Sequence, residues 1–390
     1  MTGPRPYLKR YDALIVGARC AGASTAMLLA RSGANVLVVD KQALGSDRIS
    51  THAVMRGGVL QLHRWGLLPK IRAAGTPPIT RTTFHYAGET VVIDIRPDHG
   101  VDYLCAPRRT VLDRILAEAA SDAGADIRHN VSLGGLVKGQ DSRITGAILR
   151  DPVSGPIAIQ AGIVIGADGR QSTVARQVGA ETYAVGRHYA GVAYCYFDGL
   201  RDQGSRWFFR PGASAGVVPT NNGQHCVFVC VPKAAIASRV LRNIKDGYFA
   251  ALAENSGTLR REIDNATPAS RIIGFAGAPG HMRNSQGRGW ALVGDAGYFK
   301  DPLTAHGITD ALRDAEILAR AVLKGNDRAL ARYQEERDAQ SHKLFAVTDR
   351  IASFQWDMAQ IKALHQELQA AMKSEVNHLA AIVPRISIAA

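Results

Sequence analysis

The segment Gly17-Ala18-Arg19-Cys20-Ala21-Gly22 has residue types and spacing that suit phosphate chemistry. Glycines permit a tight turn and let backbone amides approach an anion, and an acid at the end of the next strand accepts hydrogen bonds from ribose hydroxyls. Asp40, followed by Lys41, occupies that acidic place. The pattern therefore suits a dinucleotide, with Arg19 standing where a middle glycine is usual. A guanidinium there fills space in which a pyrophosphate otherwise meets bare backbone, and it can pair with a phosphate instead. Two further clusters follow: Gly166-Ala167-Asp168-Gly169, and Gly294-Asp295-Ala296-Gly297 with Pro302, His306, Gly307, Ile308, Asp310 and Ala311. Taken singly, each reads as a strand entering a turn. The start of a helix aimed at such a loop also stabilises negative charge.

The elements that must position these residues are legible in the apolar pattern. A short buried strand over 11–16, an Ala- and Leu-rich helix over 21–32 closed by Gly33, and a strand over 35–40 make a βαβ unit. Helical periodicity spans 110–123, and brief apolar strands at 163–165 and 290–293 lead into the second and third clusters. A helix is expected over 307–324. Between 182 and 279 the character changes to alternating stretches at 189–197, 207–210 and 224–231 with Gly and Pro between them, the pattern of antiparallel strands. The tail over 328–374 is rich in helix formers.

The expected fold class is α/β, with a Rossmann-like nucleotide-binding domain contributed by 1–75, 106–181 and 280–325. Segments 76–105 and 182–279 form an inserted, mostly antiparallel sheet domain for substrate, and 326–390 is a helical C-terminal region.

Composition narrows the partners. The 47 Lys and Arg against 34 Asp and Glu give a formal charge of +13, yet the basic residues are scattered, in runs no longer than a pair such as Arg108-Arg109. Nucleic-acid binding needs them gathered, so no nucleic-acid partner is expected, and the charge suits anionic cofactors. The cysteines Cys20, Cys105, Cys195, Cys226 and Cys230 make no CxxC pair and no His-Cys cluster, so neither a metal site nor a disulfide framework is expected. No apolar run reaches membrane-spanning length, and residues 1–10 lack the apolar core of a signal peptide; a cytoplasmic protein without integral membrane association is expected.

In order and spacing, the three glycine-aspartate clusters resemble those of the FAD-dependent aromatic hydroxylase and geranylgeranyl reductase superfamily, over roughly residues 11–324. The resemblance implies FAD bound by Gly17, Ala18, Arg19, Cys20, Ala21 and Gly22 at the pyrophosphate and by Asp40 and Lys41 near the adenosine ribose. It makes Arg109, with Leu112 and Leu116 after it, an FAD-contacting arginine. Asp168 and Gly169 match the D-G motif associated with FAD and the nicotinamide cofactor. Gly294 and Asp295 match the ribityl contact, and Pro302, His306, Gly307 and Ile308 the loop beside the isoalloxazine ring. Arg19 is similar to a G-A-R-x-A-G variant of that superfamily.

The implied activity is that of an NAD(P)H-dependent monooxygenase. NADPH or NADH reduces the FAD, oxygen adds to it, and a flavin hydroperoxide hydroxylates or epoxidises an aromatic, polyketide or isoprenoid substrate. The alternatives are a flavin-dependent C=C reductase of the geranylgeranyl reductase type and a non-catalytic FAD-binding redox sensor. The halogenase motif W-x-W-x-I-P is absent.

Smaller features have competing readings. His52 can touch flavin or substrate as the one catalytic candidate, or simply follow a Ser50-Thr51 cap; Arg48 contacts FAD or is solvated. Tyr194, Tyr196, Trp207 and Phe209 lie on strands of the substrate layer, where alternation sends half of the residues to each face. Cys226 and Cys230 share a face as small buried hydrophobes. Either a monomer or a homodimer is compatible with the sequence.

Overall fold

A computed structural model describes residues 9–46, 50 and 52–382. The chain opens with strand β1 (Arg10–Val16), helix α1 (Cys20–Arg31) and strand β2 (Val36–Asp40). All of β2, Val-Leu-Val-Val-Asp, is buried, as a parallel strand covered on both faces must be. Helix α1 is buried at nearly every position because it lies between the sheet and the helices Arg109–Asp122 and Gly307–Val322. Its Ala-rich sequence lets these backbones approach closely. Beyond the helix, Gly33 adopts a left-handed φ of 83°, which reverses the chain into β2.

The first sheet runs in the order Gln286–Gly287, Trp290–Leu292, Gly155–Gly166, β1, β2, Asp126–His129. From Trp290–Leu292 through Asp126–His129 its strands are parallel, and Ser132–Lys138 and Ile144–Asp151 extend it antiparallel from Gly155–Gly166. In register, Val16 lies opposite both Val39 and Gly166, and Gly166 lies opposite Leu292. The three clusters thus leave adjacent parallel strands at the same carboxyl edge, which is where open α/β sheets bind ligands.

The second sheet has the order Thr267–Pro268, Ala190–Asp198, His225–Pro232, Ala213–Pro219, Ser205–Arg210, Arg81–Tyr86, Glu89–Asp94. Tyr194, Tyr196, Trp207, Phe209, Cys226, Phe228 and Cys230 join one core with Leu303, Ala305 and the C-terminal helices. The intervening Cys195, Phe197, Phe208, Val227 and Val229 face the opposite way. There they are covered by helices Ile244–Asn255 and Gly257–Asp264, which interrupt a stretch that reads from sequence as mostly sheet. Two covered faces explain why Ala190 to Phe197 is buried without a break.

The tail is two helices, Asp327–Ala352 and Met358–Ala381, separated by a turn in which Phe354 has a φ of 55°. A capping box between Asp357 and Gln360 starts the second of them. Among the described residues, no helix is long and apolar enough to cross a membrane.

Candidate flavin-binding site

The first turn requires its glycines. Gly17 has a φ of 110°, and a Cβ there would lie 2.3 Å from the Ala167 carbonyl oxygen; a Cβ on Gly22 would lie 1.8 Å from the Gly17 carbonyl oxygen. Strand end, helix start and second cluster are therefore packed backbone to backbone. The Ala18 amide donates to Asp40 Oδ2 at 2.9 Å, and the Gln42 amide donates to Asp40 Oδ1 at 2.8 Å. Asp40 thus ties the end of β2 to the turn, while Lys41 is exposed beside it. Ala18, Arg19, Asp40, Ser46, Asp113 and His129 line a shallow, open cleft.

Arg19 spans the mouth of this cleft, donating to Ser46 Oγ at 2.7 Å and to Asp113 Oδ2 at 3.3 Å. Asp113 also receives Nε and Nη2 of Arg109, one helical turn earlier, at 3.1 and 2.9 Å. The Cys20 thiol donates to the same carboxylate at 3.2 Å, and burial pushes that thiol far above its ordinary pKa. One carboxylate therefore serves two guanidiniums at the mouth of the cleft. Arg48 lies outside the described residues.

In the second cluster, Asp168 Oδ2 accepts from the Thr173 amide at 2.6 Å and Oδ1 accepts from the Ser172 hydroxyl, so the carboxylate holds the start of helix Thr173–Val178. Gly169 turns the chain with a φ of 77°. In the third, Gly294 has a φ of 60° and packs so closely that a Cβ there would meet Ala21 Cβ at 2.9 Å. Asp295 keeps partial exposure at the edge of the sheet. Burial raises its carboxyl to about 6 against the opposing pull of Arg109.

The chain then passes Pro302 and enters helix Gly307–Val322 after Ala305, which has a left-handed φ of 52°. Gly307 is exposed, with no atom within 4 Å of a Cβ built on it, so the first turn of this helix faces open space. Ile308 packs inward with α1. His306 turns away from that opening. Its Nδ1 is 3.1 Å from Asp310 Oδ1 and its Nε2 is 3.0 Å from Glu375 Oε2, within a fully buried cluster that includes Lys300 and Arg313.

His52 lies where the two sheets approach each other. It is buried with a left-handed φ of 64°, and its Nε2 meets the Tyr196 hydroxyl. Burial first, then Arg109 and Arg108, hold its imidazole well below its ordinary pKa, so the ring is neutral. The Arg108 guanidinium sits 3.2 Å from the centre of the Tyr196 ring. Arg108 and Arg109 thus bridge the nucleotide frame and the aromatic face, one through Tyr196 and the other through Asp113.

Comparison with known proteins shows the family. Residues 10–348 match the family described as FAD binding domain. The chain belongs to that family. Its relatives include digeranylgeranylglycerophospholipid reductase 1 of Methanococcoides burtonii, 26% identical over 84% of this chain and 79% of that protein. They also include 6-methylpretetramide 4-monooxygenase of Streptomyces rimosus, 27% identical over 81% and 76%. Among solved structures, a probable FAD-dependent monooxygenase from Pseudomonas aeruginosa superposes with a TM-score of 0.77 at 20% identity, covering 94% of this chain and all of that one. A flavin-dependent brominase superposes at 0.78 with 18% identity over 95% and 93%, which speaks for the fold alone.

Within this FAD binding domain protein, sequence reasoning overlooked Asp113, Ser46 and the pairing of Tyr196 with His52. Asp113 had a signal, since Arg109 and Asp113 are four residues apart on a helix. Asp310 carried the same signal, four residues on from His306, whereas Glu375 had none, because it comes from a separate helix far along the chain.

Proposed function

We propose that this FAD-dependent oxidoreductase is an NAD(P)H-dependent monooxygenase acting on a small organic substrate held between the flavin and the aromatic face of the second sheet. The observation that carries the reading is the convergence of three glycine-aspartate turns on one carboxyl edge, next to a sheet face bearing Tyr196, Trp207 and Phe209. The residues fit FAD. The turn at Gly17 and Gly22 has no room for side chains and so offers bare amides, and Arg19 lines the adjoining cleft.

In this reading the turn and Arg19 hold the pyrophosphate, with Asp40 and Lys41 beside the adenosine ribose. Arg109, Asp168, Gly169, Gly294 and Asp295 complete the cofactor site, and Pro302 to Ile308 border the ring. FAD, when bound, would supply the redox chemistry, with NADPH or NADH as hydride source and oxygen as co-substrate. The protein aligns substrate and excludes water. The exposed first turn at Gly307 directs its amide dipoles toward negative charge developing at the flavin. His52, kept neutral and anchored to Tyr196, fixes the boundary between cofactor and substrate.

The test is to load the protein with FAD, reduce it anaerobically with NADPH or NADH, and add oxygen with candidate aromatic, polyketide and isoprenoid substrates. Oxygenated product formed in proportion to oxygen consumed supports the reading. Saturation of a substrate double bond without oxygen uptake replaces it with the second reading, a C=C reductase, which the likeness to archaeal reductases favours. Failure to bind FAD overturns both.

A further inference from the structure

The buried cluster behind Gly307 is the largest group of charges that the proposed function leaves unused. Lys300, His306, Asp310, Arg313, Asp314 and Glu375 are each no more than 5% exposed. Lys300 and Arg313 both pair with Asp310, and Arg313 pairs with Asp314 at 2.7 Å and with Glu375 Oε1 at 2.6 Å. The Ser341 hydroxyl accepts from Arg313 at 2.9 Å. With His306 protonated, three cations face three carboxylates and the cluster is neutral; with His306 neutral, an uncompensated negative charge stays buried, which low-dielectric surroundings disfavour.

Glu375 has a position unlike the others. It lies on helix Met358–Ala381, beyond the segment that matches the family, and reaches back to the residue just before the first turn of Gly307–Val322. The helix is pinned there. Arg64 donates to the carbonyls of Leu379 and Ile382 at 2.8 and 2.9 Å, and a Cβ on Gly57 would lie within 3.3 Å of both Leu379 and Glu375.

We propose that Glu375 is a positioning residue for the flavin site: by bridging His306 and Arg313 from the C-terminal helix, it fixes a cationic His306 directly behind the first turn of the flavin-facing helix. This rests on the reading that the Pro302–Ile308 loop borders the flavin. Burial works against the imidazolium, but Glu375 and Asp310 overcome it and hold His306 above its ordinary pKa. The charged groups facing the ring are Lys300 from the preceding loop, Asp310 and Arg313 from its own helix, and Glu375 from the C-terminal helix. Tyr298 stacks under Lys300 and Arg313.

Glu375→Gln keeps the shape and removes the charge. A buried His306 facing only Asp310, itself already paired with Lys300 and Arg313, then loses its proton, and the flavin site loses a nearby positive charge. That charge favours the reduced, more negative flavin over the oxidised form. Loss of about tenfold in their relative affinity lowers the two-electron midpoint potential by about 30 mV.

Two measurements on the full chain test this. Imidazole NMR titration of the FAD-free protein, with His306→Gln to assign the signal, should show His306 protonated at pH 7.5 in the wild type and neutral in Glu375→Gln. The FAD-loaded potential should fall in Glu375→Gln and in His306→Gln. It should not change in Glu367→Gln, on the same helix as Glu375, which removes only a surface pair with Arg350 of the preceding helix. An unchanged His306 signal in a folded Glu375→Gln variant overturns the inference, as does a potential unchanged while that signal shifts. If Glu375→Gln does not fold, Glu375→Asp supplies the test: the charge is kept at a shorter reach, so His306 should stay protonated, and a neutral His306 there overturns the inference. Absence of FAD binding by the wild type refutes the functional reading instead and leaves the NMR result standing.

Discussion

Replacing Arg19 with alanine separates the two jobs this residue can do. In the FAD-free protein its contacts include Ser46 Oγ at 2.7 Å and a longer reach of 3.3 Å to Asp113, whose carboxylate keeps its bidentate hold on Arg109. The side chain is 20% exposed, so loss of these contacts should destabilise the fold by only about 0.5–1.5 kcal/mol. The effect on FAD should be larger. Arg19 brings a guanidinium to the cleft beside the glycine turn, and Arg19→Ala removes it. A charge-assisted hydrogen bond to phosphate is worth about 1.5–3 kcal/mol, so the Kd for FAD should rise roughly 10- to 150-fold. Titration of the apoprotein with FAD, followed by flavin fluorescence at low and high salt, measures it. Affinity in the variant should also depend less on salt, and Arg19→Lys should lie between the two. A folded Arg19→Ala protein with unchanged affinity refutes the assignment of Arg19 to the pyrophosphate.

Other perturbations follow from the same geometry. Gly17→Ala places a Cβ 2.3 Å from a carbonyl oxygen at a φ of 110°, so it should cost roughly 3 kcal/mol or more in thermal unfolding and abolish retention of FAD on gel filtration. Tyr196→Phe removes the partner of His52 Nε2; with Nδ1 already unpaired, denaturant unfolding should report a loss of about 1–3 kcal/mol. Asp295 has a raised carboxyl pKa, so the native state holds its proton more tightly than the unfolded chain. Its stability cost is absent in acid, grows as pH rises from the ordinary carboxylate range to about 6, and is fully present above that. Asp295→Asn should therefore stabilise the FAD-free protein at pH 7.5 by up to about 2 kcal/mol, with the gain vanishing near pH 4 in paired unfolding curves. His306 has the opposite sign: its stabilising charge is present below its unfolded pKa and lost as pH rises through its raised folded value, and His306→Gln should flatten that alkaline limb.

The parts of the site legible in sequence are those written locally. Gly17, Gly22, Gly169 and Gly294 advertise themselves because each lies in a turn where a side chain is excluded or φ is positive, and each follows a short apolar run. Alternation correctly placed Cys226 with Cys230, and it also puts Tyr194 with Tyr196 and Trp207 with Phe209. It did not say which face meets the nucleotide frame, because both faces are covered and both are apolar. The helices between 233 and 264 were missed for a related reason. Segment Ile244–Asn255 holds Gly247 and aromatic Tyr248 and Phe249 in the middle, which weakens a helical signature that tertiary packing nonetheless enforces. Contacts such as Arg19 with Asp113, or His306 with Glu375, join residues far apart in the chain and depend on how the elements are assembled.

The carboxyl edge cannot by itself distinguish oxygen transfer from double-bond reduction. Both need pyrophosphate held on bare amides, a helix start aimed at the ring and water kept out, and relatives of both kinds align over more than four-fifths of this chain. The difference must lie in what faces the flavin from the far side. In the proposed reading that surface is the aromatic face of the second sheet, against which Phe354, Trp356, Ile361 and Leu364 of the C-terminal tail pack. The family match ends at residue 348, so this backing comes from beyond the shared segment. Aromatic side chains favour stacking with a planar substrate, whereas a prenyl chain gains most from a long aliphatic channel. Relative binding of a polycyclic aromatic and a prenyl lipid to the FAD-loaded protein thus discriminates between the two chemistries before turnover is ever observed: preference for the aromatic compound agrees with oxygen transfer, and preference for the lipid turns the case toward reduction.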